Sequence, residues 1–167
     1  MPRTRPPPAT AARSTTPQRP VSDLHSHIGF WLRFVSNHVS AEFRRRVEAA
    51  GVSVSEWVAL RHLFDVAQAA PAELVASLGM TKGAVSKIVT RLLAKGLVET
   101  EAHATDLRAH RIRLTRTGRA LVPRLAQLAD ENDAAFFGPL TPSARDELVR
   151  SMKELVRFHQ LRHVPTD

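Results

Sequence analysis

Apolar residues recur at three- and four-residue spacing along the first folded stretch, at Leu24, Ile28, Trp31, Leu32, Val35, Val39, Phe43 and Val47. That period is helical and predicts one long helix over about residues 22–50, closed by Gly51. Ser53-Val54-Ser55-Glu56 reads as a capping box, in which serine and glutamate side chains satisfy each other's early backbone N–H groups. The helix it opens carries Trp57, Val58, Leu60, Leu63 and Phe64 and fades by Asp65. A linker over residues 66–70 leads to Pro71 and a brief helix over 72–78, with Leu74, Val75 and Leu78 inward. Gly79 and Met80 make a turn. Thr81 is a good cap for the next helix, which runs to about Lys95 and stops at Gly96.

In that helix Val85, Ile88, Val89, Leu92 and Leu93 form one face, while Lys82, Ser86, Lys87, Thr90 and Arg91 occupy the other sides without an acid among them. Two short extended segments are predicted after it, at 97–101 and 111–114, the second with Ile112 and Leu114 alternating inward. Residues 115–118 open a helix reaching about residue 137, marked by Leu121, Leu125, Leu128, Phe136 and Phe137. Pro123 inside it is a kink-forming residue. Gly138-Pro139 breaks the chain and Thr141-Pro142 restarts it. Leu148, Met152, Leu155, Val156 and His159 are expected to carry the last helix inward.

Charge changes the picture by its position. The 167 residues hold 24 basic and 16 acidic side chains, a net +8 that favours a polyanionic partner, nucleic acid or an anionic membrane surface. Residues 1–20 carry four arginines, six prolines and no acid, and such a composition predicts a disordered tail, either solvated or adding loose phosphate contacts. Residues 21–70 balance to zero. Residues 71–119 hold nine basic and four acidic groups, and residues 120–167 hold six and seven. The excess within the folded part therefore sits in the middle segment.

Other chemistry falls away. Cysteine is absent, which removes disulfides, thiolate metal sites and thiol redox sensing. No apolar run is long enough for a membrane span, and no apolar core follows the N-terminal arginines, so a cytoplasmic protein is expected. His159 and His163 lie one helical turn apart, but without a nearby carboxylate pair a surface role is the better reading. Asp106 with His110 is the one local acid–histidine pair, on a loop better suited to a binding role than to catalysis. No cofactor, metal or enzymatic activity is expected. Arg44, Arg45 and Arg46 are flanked by Glu42 and Glu48 and read as a solvated helix face. Trp31, Phe34 and Phe43 read as a buried aromatic surface between copies, with a ligand pocket as the alternative.

A short helix, a tight turn and a second helix with one basic face make a helix-turn-helix, whose second helix fits the major groove of B-DNA. The hairpin beyond it offers His103, Arg108 and His110, and an arginine at a hairpin tip suits the narrow minor groove. The run from Glu73 to Val98, the Asp106-Leu107-Arg108 wing and the Leu114-Thr115-Arg116-Thr117-Gly118 junction resemble the MarR family of bacterial regulators, over about residues 22–162. The fold class is then mainly α with a small β wing, a winged helix-turn-helix flanked by N- and C-terminal dimerisation helices. Its divisions are a tail at 1–20, a first dimerisation helix at 21–52, the DNA-binding domain at 53–115 and further dimerisation helices at 116–163.

The resemblance implies a homodimer on double-stranded DNA at a near-palindromic operator, acting as a repressor, with a small aromatic or acidic effector loosening the complex. It assigns DNA contact to Thr81, Lys82, Gly83, Ser86, Lys87, Thr90, Arg91, Arg108 and Arg111, and wing orientation by ion pairing to Asp106. Arg111 and Arg113 are expected to pair with Asp106 or with phosphate. Dimer contact falls to Ile28, Trp31, Leu32, Val35, Leu148, Met152 and Leu155. The alternative function is an architectural or partner-binding winged helix with neither sequence preference nor small-molecule control.

Overall fold

The computed structural model describes residues 21–103 and 106–161, with side chains described outside 102–110. A 3-10 turn at Leu24–Ser26 precedes α1, Ile28–Ala49. The single helix expected over 22–50 is thus interrupted. Asp23 caps the short turn by accepting from the His25 N–H, and His27 is extended. Gly51 takes a φ of +89° after α1, the left-handed geometry that closes a helix most easily with glycine.

Helix α2, Val54–Val66, begins at the expected capping box: Glu56 N donates to Ser53 Oγ at 3.2 Å and Ser53 N to Glu56 Oε2 at 2.8 Å. The presumed linker beyond it contains a strand, β1, Gln68–Ala69. Pro71 is the first residue of α3, Pro71–Leu78, and Gly79 ends that helix in the left-handed region. Helix α4, Lys82–Ala94, is capped by Thr81, whose hydroxyl accepts from Ala84 N at 3.3 Å.

The hairpin is longer than the two predicted segments, with β2 at Val98–His103 and β3 at Asp106–Leu114. The three strands lie in the order β1-β3-β2, all antiparallel, and Ala69 pairs with Ile112. Helix α5, Arg116–Phe137, follows the Thr115 cap and continues through Pro123. Helix α6, Pro142–Phe158, starts from the Thr141 cap.

One core holds these elements together. Leu60 and Leu63 of α2, Leu74 of α3, Val85, Ile88 and Leu92 of α4, Ile112 of β3 and Val122 and Leu125 of α5 are all buried, with Val47 of α1. Burying a leucine or isoleucine side chain contributes about 1.5–3 kcal/mol, so this shared centre sets where α4 is seated. Phe43 packs against the core, leaving Phe30, Trp31 and Phe34 as the aromatic surface and correcting the grouping drawn from the sequence. Leu93, expected on the inner face of α4, is exposed. Asn132 of α5 is buried, and its Nδ2 donates to the Val39 carbonyl at 3.4 Å, tying α5 to α1.

The last helix departs most from expectation. Helix α6 buries no residue against its own chain: Met152, Leu155 and Val156 are 41%, 50% and 47% exposed. Its apolar stripe is real but only partly covered within one copy, with Leu148 half-buried. Among the described residues, no helix is long and apolar enough to cross a membrane.

Candidate nucleic-acid interface

Helix α4 is seated by Val85, Ile88 and Leu92, and the helical period turns Thr81, Lys82, Gly83, Ser86, Lys87, Thr90 and Arg91 outward, where all are exposed. Among the described residues Lys82 and Lys87 have no ion-pair partner. Thr90 donates its hydroxyl to the Ser86 carbonyl at 2.9 Å, leaving its oxygen lone pairs and methyl facing out. The face is therefore basic, acid-free and convex, 13 residues or about 20 Å long.

Arg91 is placed differently from the two lysines. Its Nε donates to Glu56 Oε1 at 3.1 Å, and Lys95 Nζ donates to Glu56 Oε2 at 2.7 Å and to the Gly51 carbonyl at 2.8 Å. Glu56 is 1% exposed and also accepts from Ser53 N. Burial alone would raise the pKa of this carboxyl. The donors, Lys95 first, then the Ser53 N–H, outweigh burial and hold it below the usual carboxylate range. Nothing in the sequence reading flagged Glu56 beyond its cap. Its signal would have been that it is the only acid in α2 apart from Asp65, near the helix end.

The end of α4 and the base of the wing interlock. Gly96 takes a φ of +64°, Leu97 N returns to the Leu92 carbonyl, and Thr115 N donates to the Leu97 carbonyl at 3.1 Å. Thr115 Oγ1 accepts from Gly118 N at 3.0 Å and donates to the Gly96 carbonyl at 2.7 Å. A Cβ on Gly118 would lie 2.0 Å from the Leu97 carbonyl oxygen. The Gly-Leu-Val turn and the Leu-Thr-x-x-Gly junction are thus two halves of one contact, and each fixed residue type has a steric or hydrogen-bonding reason.

Among the described residues the arginines of β3 pair with acids of α3 and β2. Arg111 lies 3.7 Å from Glu73 of α3, and Arg113 lies 2.9 Å from Glu99 and 3.5 Å from Glu101. These acids come from the facing strand and a neighbouring helix, which sequence distance did not suggest. Asp106 and Arg108 lie on β3, and their side chains fall outside the described residues, as do those of His103 and His110. On α1, Glu42 binds Arg45 and Arg46, whose hydrogen bonds lower its pKa from 4.5 to about 2. The arginine run is thus paired in part on its own helix. Among the described residues no cluster of three metal-ligating side chains occurs.

The dimer residues inferred from the sequence are brought together. Ile28, Trp31, Leu32 and Val35 of α1 face Phe137 of α5 and Leu148 and Met152 of α6 across an apolar groove of about 440 Å³. Leu155 lies farther along the exposed stripe of α6.

A short helix, a left-handed turn, an exposed basic helix and a three-stranded sheet define a winged helix-turn-helix protein. Residues 50–109 match the family model described as MarR family. Over 163 residues the chain is 24% identical to the HTH-type transcriptional repressor IacR of Pseudomonas putida, covering 90% of this chain and 96% of the relative. Among solved structures, Bordetella bronchiseptica BpsR, studied for regulation of its DNA binding by 6-hydroxynicotinic acid, superposes with a TM-score of 0.72 at 23% identity. That match covers 81% of this chain and 97% of BpsR. A cysteine-to-serine mutant of E. coli MarR complexed with operator DNA gives 0.71 at 23% identity, covering 81% and 99%. The chain thus has a winged-helix fold and is similar to the MarR family over residues 50–109.

Proposed function

We propose that this chain is a cytoplasmic repressor that binds a near-palindromic operator as a homodimer. The observation that carries the proposal is the exposed, acid-free face of α4, with Lys82 and Lys87 unpaired among the described residues. Thr81, Lys82, Gly83, Ser86, Lys87 and Thr90 would meet the major groove, with Arg91 at the end of that face. From the family resemblance, Arg108 would enter the minor groove, Asp106 would orient the wing and Arg111 would approach phosphate.

Ile28, Trp31, Leu32, Val35, Leu148, Met152 and Leu155 would form the dimer contact, since α1 and α6 expose one continuous apolar surface. The helices over 21–52 and 116–163 then serve dimerisation, and 53–115 serves DNA. Control by a small aromatic or acidic effector is the further part of the reading. It draws on BpsR, and on an apolar cavity of about 570 Å³ between the α1–α2 corner and the α3–α4 turn.

The test compares affinity for a selected operator with affinity for random duplex, using wild type and Arg108→Ala. Wild type is expected to prefer the operator by about 10³-fold or more, and Arg108→Ala to lose about 1–3 kcal/mol of operator binding. Equal affinities for the two duplexes would instead indicate an architectural protein without sequence preference.

A further inference from the structure

The carboxylate of Glu56 is the most buried charged group among the described residues, and its position at the start of α2 is not explained by capping alone. One hydrogen bond from Ser53 N would complete the cap. The same carboxylate also receives Arg91 Nε and Lys95 Nζ, thirty-five and thirty-nine residues along the chain. Both donors belong to the C-terminal turn of α4 and its cap.

Among the described residues these are the only hydrogen bonds that side chains of α4 and its C-cap make to a side chain of another helix. The apolar contacts of Val85, Ile88 and Leu92 seat the helix but are non-directional, so they resist separation better than they resist tilt and roll. A tilt of about 10° about one end of a helix about 20 Å long moves its far end by about 3 Å. Base-edge hydrogen bonds need donor and acceptor within about 2.7–3.2 Å of one another. A tilt of that size is invisible to phosphate attraction and ruinous to base reading.

We propose that Glu56 is a positioning residue for sequence discrimination: by holding Arg91 and Lys95, it fixes the angle at which α4 presents Lys82, Ser86, Lys87 and Thr90. The proposal rests on the DNA-binding reading above and adds a residue that touches no DNA. Glu56 also divides the cations of α4 into two sets. Lys82 and Lys87 at the front are free among the described residues, while Arg91 and Lys95 at the back are engaged by a buried carboxylate.

The consequence separates positioning from simple stability. Neutralising Glu56 leaves every cation in place and adds one unit of net positive charge. Binding to random duplex, an electrostatic term, should hold or tighten. Binding to the operator should weaken, because the helix loses its fixed angle. A variant that merely unfolds would lose both.

The experiment measures Kd for a selected operator and for random duplex of equal length, with wild type, Glu56→Gln and Lys95→Met, after circular dichroism confirms helix content. Wild type must first discriminate between the duplexes; if it does not, the DNA-regulator reading and this inference fall together. If it does, Glu56→Gln is expected to lower the operator-to-random ratio about tenfold or more, the size of one disturbed base contact, with random-duplex affinity unchanged or tighter. Lys95→Met, which leaves Arg91 on Glu56, is expected to lower the ratio less. Its random-duplex affinity should stay near wild type, whereas a phosphate-contacting lysine would lose affinity for both duplexes alike. A wild-type ratio in Glu56→Gln overturns the proposal while leaving the regulator reading intact. Should Glu56→Gln fail to fold, a Lys95→Met protein with a wild-type ratio, or with equal losses on both duplexes, overturns it as well.

Discussion

Single residues show why the short motifs of this chain take the form they do. Gly96, Thr115 and Gly118 are spread over 23 positions, yet they meet at one point between α4 and α5. Gly96 supplies a positive φ, Thr115 satisfies one donor and one acceptor, and Gly118 leaves room for the Leu97 carbonyl. Each was visible in the sequence as a motif letter, but the contact that gives the letters meaning requires the fold. Gly118→Ala should destabilise the protein by about 1–3 kcal/mol, because a side-chain carbon would be forced against backbone that cannot move aside cheaply. Urea denaturation checks this, and an unchanged midpoint would show that the close approach carries no strain. Glu56 was legible only as a cap and Asn132 not at all, since burial of a polar side chain depends on partners distant in sequence.

At the scale of elements, strong periodicity and capping chemistry carried the prediction. Helices α2, α3, α4 and α6 begin at Ser53, Ala70, Thr81 and Thr141, where serine, threonine or a following proline marks the start. Strand β1 escaped because two residues have no period; only pairing with Ile112 and Arg113 makes Gln68–Ala69 a strand. The outer hairpin escaped for a related reason: its polar sequence carries no alternating apolar signal, and only the pairing of β2 with β3 shows it as strand. Helix α4 makes the quantitative prediction. If Lys82 and Lys87 each neutralise one phosphate, the double variant Lys82→Ala, Lys87→Ala should flatten the log–log salt slope of binding by about 2, or about 4 for a symmetric dimer. Titrations at several salt concentrations read this directly, and an unchanged slope would remove the two lysines from the interface.

For the whole molecule, the exposed apolar surface is the feature a single copy leaves unexplained. Ile28 at 76%, Leu155 at 50% and Phe158 at 81% exposure lie on α1 and α6, the elements at the two ends of the described chain. Water would cover this surface at a cost of roughly 25 cal/mol for each Å²; the proposed second copy would remove it. The sequence showed the same apolar stripe on both helices, but period alone does not say which surface does the covering. Leu155→Glu is expected to shift the protein from dimer to monomer at micromolar concentration in sedimentation velocity. A variant that still sediments as wild type would place the dimer contact elsewhere.

The account stands on α4 reading base sequence, and selection of binding sites from random duplex DNA, followed by sequencing, tests that most directly. The expected product is an enriched near-palindrome with half-sites about one helical turn, roughly 10 base pairs, apart. Recovered DNA no different in sequence from the starting pool would contradict the account.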